Sequence, residues 1–516
     1  MIIRLLLAAA AGIVLSTSLP PSPAWFAVAA LAVVFALVAG SPGPRAAFWV
    51  AFAAAVAFFA LHVLWLPASF SDLLGPVFWV LFPFLLAALG AIWGATVAAA
   101  RWVGRGGAPT LFVLATFWVL MTWLRGLGFL GFPWGTLGYA WLDTPVAQWA
   151  DLVGVHGLSL FTTWAAALLA APFVRRSPAT DRGAGSDASR TAPPRSNASM
   201  FGPPLALVLV LLAWWGGDLR AGGIEADLPA AERSALLVQG DVDPFGRAAG
   251  ADRDLDVHVE LTESAVGQDP PDLVIWPEGA VLGYPLEGFR GEPARRAIQE
   301  AAPQSAFVVG GRARTEGGST NAVFAIRGGA LSDRYDKHVL VPFGERWPLL
   351  EVAAPLYRAI FGLFGLPLLE NTVPGPGPRP LETGAGRVAA YVCYESVFPR
   401  IPRGMVQGGA EVLINITNDA WFSRGNGARQ HFDMGRLRAI ETRRWLLRAG
   451  NDGITAAVDP LGRTVEALPR GERGTLRVSY ARLDGVTPYV RHGHLTPWLL
   501  LGLGVATSAF AAVRRR

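Results

Sequence analysis

The chain has 516 residues, 52% of them hydrophobic and only 16% charged, with a mean hydropathy of +0.37. That is too apolar for an ordinary soluble protein and points to a membrane protein carrying a sizeable soluble domain. The net charge of +5 reflects Arg at helix ends with no basic stripe interleaved with aromatics, which excludes nucleic acid as a partner, and one Cys excludes an intramolecular disulfide.

Seven apolar stretches precede residue 217, at about 3–18, 22–40, 46–66, 77–99, 109–127, 158–174 and 203–216. An eighth, at about 496–513, lies before Arg514-Arg515-Arg516. Each approaches the ~20 residues that cross a hydrocarbon core. Arg4 ahead of a short apolar core also resembles a signal sequence. A retained helix is preferred, because the next span follows within a few residues and the charge pattern works only if the first one stays.

Arginine asymmetry sets the topology. With the N-terminus in the cytoplasm, the inner segments hold Arg4, Arg45, Arg101, Arg105, then Arg175, Arg176, Arg182, Arg190 and Arg195, and finally Arg514 to Arg516. The facing loops before residue 158 hold only Arg125, so the long segment 217–494 falls outside the cytoplasm. Residues 177–202, rich in Ser, Pro, Ala, Gly and Arg, are expected to be a flexible cytoplasmic linker. Segment 128–157, with Gly131-Phe132-Pro133-Trp134 and Gly138-Tyr139-Ala140-Trp141, is too aromatic for a free loop and too broken for a span. It is expected along the outer membrane interface, where Trp and Tyr are favoured.

From 217 onward short β-rich runs alternate with helical or turn segments, among them Ser234–Gln239, Asp272–Trp276, Ala306–Gly310, Ala322–Ile326, Val388–Val392, Glu411–Asn415 and Thr455–Val458. Continuous apolar strands between helices indicate a layered α/β domain whose sheets are covered by helices. The expected organisation is a polytopic membrane domain over 1–216, a catalytic domain over 217–494, and a closing span with its Arg tail over 495–516.

Of the 44 Lys plus Arg, 43 are Arg, and the single Lys is Lys337; the single Cys is Cys393. A chain that uses Arg for bulk charge yet keeps one compact ammonium has a use for it that a planar guanidinium does not meet. A lone Cys in an apolar run is most often a small buried hydrophobe, and a lone Lys is often a surface charge. Their company argues otherwise. Glu278 follows the strand-like Asp272–Ile275 in Trp276-Pro277-Glu278, where Pro277 ends the strand; Lys337 precedes Leu340-Val341-Pro342-Phe343-Gly344-Glu345; Cys393 ends an apolar run and precedes Tyr394-Glu395. A carboxylate can take the thiol proton, and an ammonium can favour the thiolate and stabilise the oxyanion of acyl transfer. Glu345 and Glu395 are further candidates for orienting Lys337 or steering protons.

These three motifs resemble those of the nitrilase, or carbon–nitrogen hydrolase, superfamily. With its flanking spans the chain is similar to the bacterial apolipoprotein N-acyltransferase family over nearly its whole length. Further matches are Gly131-Phe132-Pro133-Trp134, Val238-Gln239-Gly240, Asn418-Asp419-Ala420-Trp421-Phe422, Gln430-His431 and Arg448-x-x-Asn451-x-Gly453-x-Thr455. Asp241 and Trp445 depart from the family's Asn and Pro.

The resemblance implies a nitrilase-like αββα sandwich joined to an all-α polytopic membrane domain of about eight transmembrane helices. It implies Glu278 as general base, Lys337 as oxyanion stabiliser and Cys393 as acylated nucleophile, with Glu345, Tyr394 and Glu395 supporting and Trp421 contacting substrate; neither metal nor cofactor is implied. The donor it implies is a phospholipid, phosphatidylethanolamine, and the acceptor a diacylated apolipoprotein. The setting it implies is the bacterial cytoplasmic (inner) membrane, with the catalytic domain on the periplasmic side.

The apolar run from Leu356 to Leu369, including Phe361 and Phe364, is expected to form a mobile substrate-binding lid at the bilayer surface. Two rival readings are a membrane-tethered amidase, which gives no reason for seven preceding spans, and a transporter. Transport predicts ionisable groups within spans, and apart from His62 they are almost lacking. Gly-x-Ser-x-Gly, His-Glu-x-x-His and Gly-Lys-Ser/Thr do not occur, which leaves serine hydrolase, zinc protease and P-loop readings without support.

Overall fold

The structure, a computed structural model, describes residues 1–20, 22–75, 77–174, 200–242, 251–363, 371–423 and 425–513. The N-terminal part is helical: α1 (Ile2–Ser16), α2 (Trp25–Ala39), α3 (Pro44–His62), α4 (Trp65–Leu74), α5 (Val77–Gly104), α6 (Ala108–Arg125), α7 (Ala150–Ala170) and α8 (Gly202–Asp227). Such helices are apolar on nearly every face because lipid replaces water around them, and every backbone group must be satisfied within the segment.

Among the described residues six helical stretches are long and apolar enough to cross a membrane: Pro44–His62, Phe78–Gly104, Ala108–Arg125, Pro145–Phe173, Gly202–Asp227 and Pro488–Val513. The other two of the expected eight, α1 and α2, have 15 residues each. At ~1.5 Å per residue they are about 22 Å long, against a ~30 Å hydrocarbon core. Helix α8 continues to Asp227, past the composition change at 216, because Arg220 fastens it to Asp151 of α7 through a 2.8 Å ion pair.

The segment 128–157, expected along the outer membrane interface, runs into α7 at Ala150. It forms 3-10 turns at Leu137–Trp141 and Pro145–Trp149, and Trp134, Tyr139 and Trp141 are buried. Their rings are packed inside the protein: Trp134 stacks on Tyr394 at 5.8 Å, and the Trp141 indole donates to Thr162 of α7.

Beyond α8 lie β1 (Arg233–Gln239), α9 (Ala251–Val266), β2 (Leu273–Ile275), α10 (Glu292–Ala301), β3 (Ala306–Thr315), β4 (Gly318–Arg327), β5 (Ala330–Asp336), α11 (Leu350–Leu363), β6 (Leu381–Glu382), β7 (Arg387–Val392), α12 (Arg400–Gln407), β8 (Val412–Thr417), α13 (Gly427–Thr442), β9 (Leu446–Gly450), β10 (Ala456–Val458), β11 (Thr464–Ala467), β12 (Gly474–Tyr480), α14 (Pro488–His492) and α15 (Thr496–Val513). The strands form two six-stranded sheets, ordered β12-β1-β2-β3-β4-β5 and β11-β10-β9-β8-β7-β6. Each has a parallel core, β1-β2-β3 in one and β7-β8-β9 in the other, flanked by antiparallel strands.

Alternation along the strands builds the layers. Leu237, Ile275 and Val308 share a core with Ala390, Ile414 and Leu447 of the facing sheet. Their neighbours Leu236, Val274 and Phe307 pack against Leu255 of α9 and Ile298 of α10. Ile401 and Met405 of α12 and Leu437 and Ile440 of α13 join the shared core from the other side. The result is the αββα sandwich that the family resemblance implied.

Helix α13 also binds the membrane part. Arg443, at its C-terminal end, donates to Asp151 and Gln148, Arg436 pairs with Asp143 at 2.6 Å, and Glu441 accepts the Val155 N–H at 2.8 Å. That N–H is free because α7 breaks at Gly154, where φ is +64° and a Cβ would lie 2.3 Å from the Tyr489 ring; both the backbone and the contact demand Gly.

Candidate active site

Three strand ends from two sheets converge. Glu278 lies just beyond β2, where the Trp276 N–H still pairs with Val308 of β3 and the chain turns away at Gly279 (φ +76°). The approach requires Gly310 on β3, since a Cβ there would come within 2.3 Å of the Pro277 carbonyl. Lys337 follows β5, its backbone N–H donating to the Asn321 carbonyl of β4 at 2.8 Å. Cys393 follows β7 in the other sheet with φ +48°, a left-handed conformation that costs a non-glycine residue about 1–3 kcal/mol.

The Lys337 ammonium, only 1% exposed, lies 2.9 Å from Glu345 Oε1 and 3.4 Å from Glu278 Oε1. Asn321 Nδ2 donates to the same two oxygens, at 3.0 and 2.7 Å. Burial alone would push the ammonium down, but Glu345 first and then Glu278 outweigh it and hold Lys337 well above the ordinary lysine value. It stays a cation at any physiological pH.

Glu345 is otherwise engaged, its second oxygen accepting the Val341 N–H at 2.9 Å. The second oxygen of Glu278 is buried and accepts nothing from the described residues. Of the two carboxylates beside Lys337, Glu278 therefore has a place for a proton.

The Cys393 thiol is pushed well above its ordinary value, first by burial and then by Glu278, with Lys337 and a hydrogen bond with Thr417 opposing. No thiolate stands ready at neutral pH. An attack by this sulfur would need its proton taken at the same moment, and the vacant oxygen of Glu278 is able to take it.

Glu395 serves position. Its Oε1 accepts the Tyr335 hydroxyl at 2.8 Å and the N–H groups of His338 and Val339 at 2.8 and 3.1 Å, and its Oε2 accepts the Val392 N–H at 2.9 Å. One buried carboxylate thus ties the chain just after Lys337 to the turn that carries Cys393. Tyr394 faces the membrane part, donating to the Gly131 carbonyl at 2.6 Å. Around it Trp134, Trp65 and Phe422 form an aromatic cluster, with Trp65 and Phe422 at 4.9 Å.

Trp421 sits half-buried in the 3-10 turn Asp419–Phe422. Phe361 belongs to α11, but its side chain lies outside the described residues, as does all of Phe364. The base of α11 is seated on the membrane part, where Trp347 packs with Phe70, Phe78, Leu350 and Tyr357, while Leu349 and Val352 are exposed.

Sequence reasoning missed Asn321, whose only signal is a carboxamide at the head of the apolar run Ala322–Ile326. It also gave no role to Trp65. The departure at Asp241 is accommodated: φ there is +46°, a region that Asn and Asp both tolerate better than most residues.

A part-buried carboxylate with a buried ammonium and thiol on an αββα sandwich, joined to apolar helices, defines a membrane-seated protein of the carbon–nitrogen hydrolase class. The carbon-nitrogen hydrolase family matches residues 219–489, and the apolipoprotein N-acyltransferase N-terminal domain matches residues 11–168. An apolipoprotein N-acyltransferase from Azotobacter vinelandii is 32% identical, covering 99% of this chain and 95% of its own. One from Geobacter metallireducens is 31% identical, covering 99% and 95%. A solved CN-hydrolase superfamily protein from Xanthomonas campestris, with an arsenic adduct in its active site, is similar over 52% of this chain and 96% of its own, at 20% identity and a TM-score of 0.35. The chain belongs to the apolipoprotein N-acyltransferase family and is a membrane protein.

Proposed function

We propose that this chain is a phospholipid:apolipoprotein N-acyltransferase working by a ping-pong mechanism, with its catalytic domain on the periplasmic side of the bacterial inner membrane. The observation that carries the proposal is the buried Lys337 held between the part-buried Glu278 and Glu345, in the field of the only thiol. The residue after that thiol is bonded to the membrane part. The thiol of Cys393 attacks the ester carbonyl of a phospholipid, phosphatidylethanolamine by family resemblance. Glu278 takes the thiol proton, the electron pair moves onto the carbonyl oxygen, and Lys337 stabilises that oxyanion. Collapse breaks the C–O bond, Glu278 gives its proton to the departing lysophospholipid, and Cys393 is left as a thioester.

In the second half-reaction the α-amine of a diacylglyceryl-cysteine at the apolipoprotein N-terminus attacks the thioester. Glu278 removes a proton from that amine and returns it to the departing thiolate, leaving an amide and free Cys393. Both substrates are held in the bilayer by acyl chains, so a site fastened to apolar helices suits them. Residues 1–216 and the closing span seat the enzyme, and 217–494 perform the chemistry.

Intact-mass spectrometry of purified protein tests this. The expected result is an added mass of one fatty acyl group, removed by hydroxylamine and missing in Cys393→Ala. Adding a diacylated peptide should discharge it onto the peptide. Discharge to water alone would make the chain an amidase instead, and no adduct under any donor would end the proposal.

A further inference from the structure

The turn Thr417–Phe422, helix α13 and strand β9 bring a second buried cluster against the nucleophile, and the steps above make no use of it. At its centre is Asp419, fully buried, which accepts Arg448 NH2 at 2.9 and 2.8 Å, the Ile454 N–H at 3.0 Å and the Thr417 hydroxyl at 3.3 Å. Burial would raise its carboxyl, but Arg448 and His431 outweigh that and hold it below the usual range, so it stays an anion.

Two paths lead from Asp419 to Cys393. The first is short, since the Thr417 hydroxyl that donates to Asp419 also favours the Cys393 thiolate against the burial that raises it. The second runs to His431, whose Nδ1 lies 3.3 Å from Asp419 Oδ1 and 3.1 Å from the Arg448 Nη2 that Asp419 also holds. A carbonyl can only accept, so the ring nitrogen that faces Cys393, Nε2, carries a proton. His431 Nε2 lies 2.9 Å from the Cys393 carbonyl, to which it donates, and 2.8 Å from Ser396 Oγ. The peptide between Cys393 and Tyr394 is planar, so a donor fixed on its carbonyl fixes the whole plane and the left-handed bend that presents the thiol.

We propose that Asp419 is a positioning residue for the nucleophile, holding the Cys393 sulfur through Thr417 and the Cys393 carbonyl through Arg448 and His431. This gives the segments Asn418–Phe422, Gln430-His431 and Arg448–Thr455 a shared task, aiming the thiol between Glu278 and Lys337. It rests on the reading of Cys393 as nucleophile.

The two paths have separable signatures, read on the full chain in detergent. The charged groups that act on the Cys393 thiol are Glu278, Lys337 and Asp419, and none is altered in the test. Thr417→Val removes the hydroxyl that can turn to donate to a thiolate, so the pH at which iodoacetamide alkylates Cys393 at half its maximal rate should rise by about half a unit or more; Thr417→Ser should restore it. His431→Leu should slow single-turnover thioester formation by about a hundredfold, as misplacement of a reacting group does. That variant should leave the alkylation midpoint unchanged. His431→Gln, whose amide nitrogen can stand where Nε2 stood, should recover at least about tenfold of that loss. A purely structural role would lower the yield of folded protein for Leu and Gln alike without separating their rates. An unmoved midpoint in Thr417→Val overturns the proposal, as does a Gln variant no faster than Leu per folded molecule; if the His431 variants do not fold, the Thr417 pair decides. A wild-type chain that forms no thioester would sink the nucleophile reading itself, a different failure from thioester formation indifferent to Thr417 and His431.

Discussion

Replacing Lys337 with Arg keeps the charge and changes only its shape, which makes it the sharpest test of the site. The ammonium nitrogen sits 2.9 Å from Glu345 and 3.4 Å from Glu278 in a space that leaves it 1% exposed. A guanidinium places three nitrogens on a rigid plane where the ammonium has one, and its fork matches carboxylates in pairs. Arg would draw Glu278 and Glu345 into two-point contacts and occupy the one oxygen of Glu278 that accepts nothing from the described residues. Loss of one oxyanion donor costs on the order of 10²–10³ in rate, and a misplacement of about 1 Å costs about 10². These describe the same event and are not multiplied, so the expected loss is at least about a hundredfold, or about 2.7 kcal/mol of barrier. Folding should survive, because the two carboxylates keep a cation; Lys337→Met, which leaves them uncompensated, should cost about 3–5 kcal/mol of stability. The assay is single-turnover thioester formation on equal amounts of folded protein, and an Arg variant within about threefold of wild type would refute the reasoning.

Glu278→Gln should move two assays in opposite directions. Removing a charge that raises the thiol lets direct alkylation of Cys393 begin at lower pH, while acyl transfer from an ester falls about 10²–10⁴-fold for want of a base; a parallel change in both would show that Glu278 is not the base. Asn321→Leu, which unties Glu278 from Glu345, should slow thioester formation by about tenfold to a hundredfold at unchanged alkylation midpoint, and wild-type rates would leave Asn321 a strand residue only. Ser at Phe361 and Phe364 together should weaken reaction with bilayer-embedded donors more than with a short soluble ester, and equal losses would make that segment core and not lid. Reporters fused after Arg182 and after Gly474 should read cytoplasm and exterior; both on one side would end the topology argued from arginine.

The sandwich was legible because its strands are buried on both faces and so appear as unbroken apolar runs, and because Glu278, Lys337 and Cys393 each stand where such a run stops. What could not be read is set by contacts between distant segments. Trp134 looks like a membrane-interface aromatic in the chain, yet it packs on Tyr394, 260 positions away, as Trp65 packs on Phe422, 357 positions away. Asn321 has no local reason to be polar until β5 brings Lys337 beside it. The span edges slipped for a related reason: α8 outlasts its apolar stretch because Arg220 finds Asp151, an ion pair that composition along one segment does not announce.

The seating of the sandwich on its helices follows from one element. Helix α13 carries His431 near its start, bonded to the Cys393 carbonyl, and Glu441 near its end, bonded to the N–H that α7 exposes where it breaks at Gly154. Ten residues of helix separate the two contacts, about 15 Å at the usual rise. Glu441 also pairs with Arg438, whose guanidinium donates to the Tyr139 hydroxyl, so this end of α13 is fixed to the membrane part by charged and neutral bonds together. Hydrophobic packing alone would let the sandwich slide over the helices at small cost, since apolar contact is non-directional. Buried hydrogen bonds have one geometry and leave unpaired groups at about 1–3 kcal/mol each when broken. The proposed reaction, with both substrates anchored in lipid, needs the thiol at one depth, and a rigid helix bonded at both ends sets that depth in a way that a flexible tether of the same length would not.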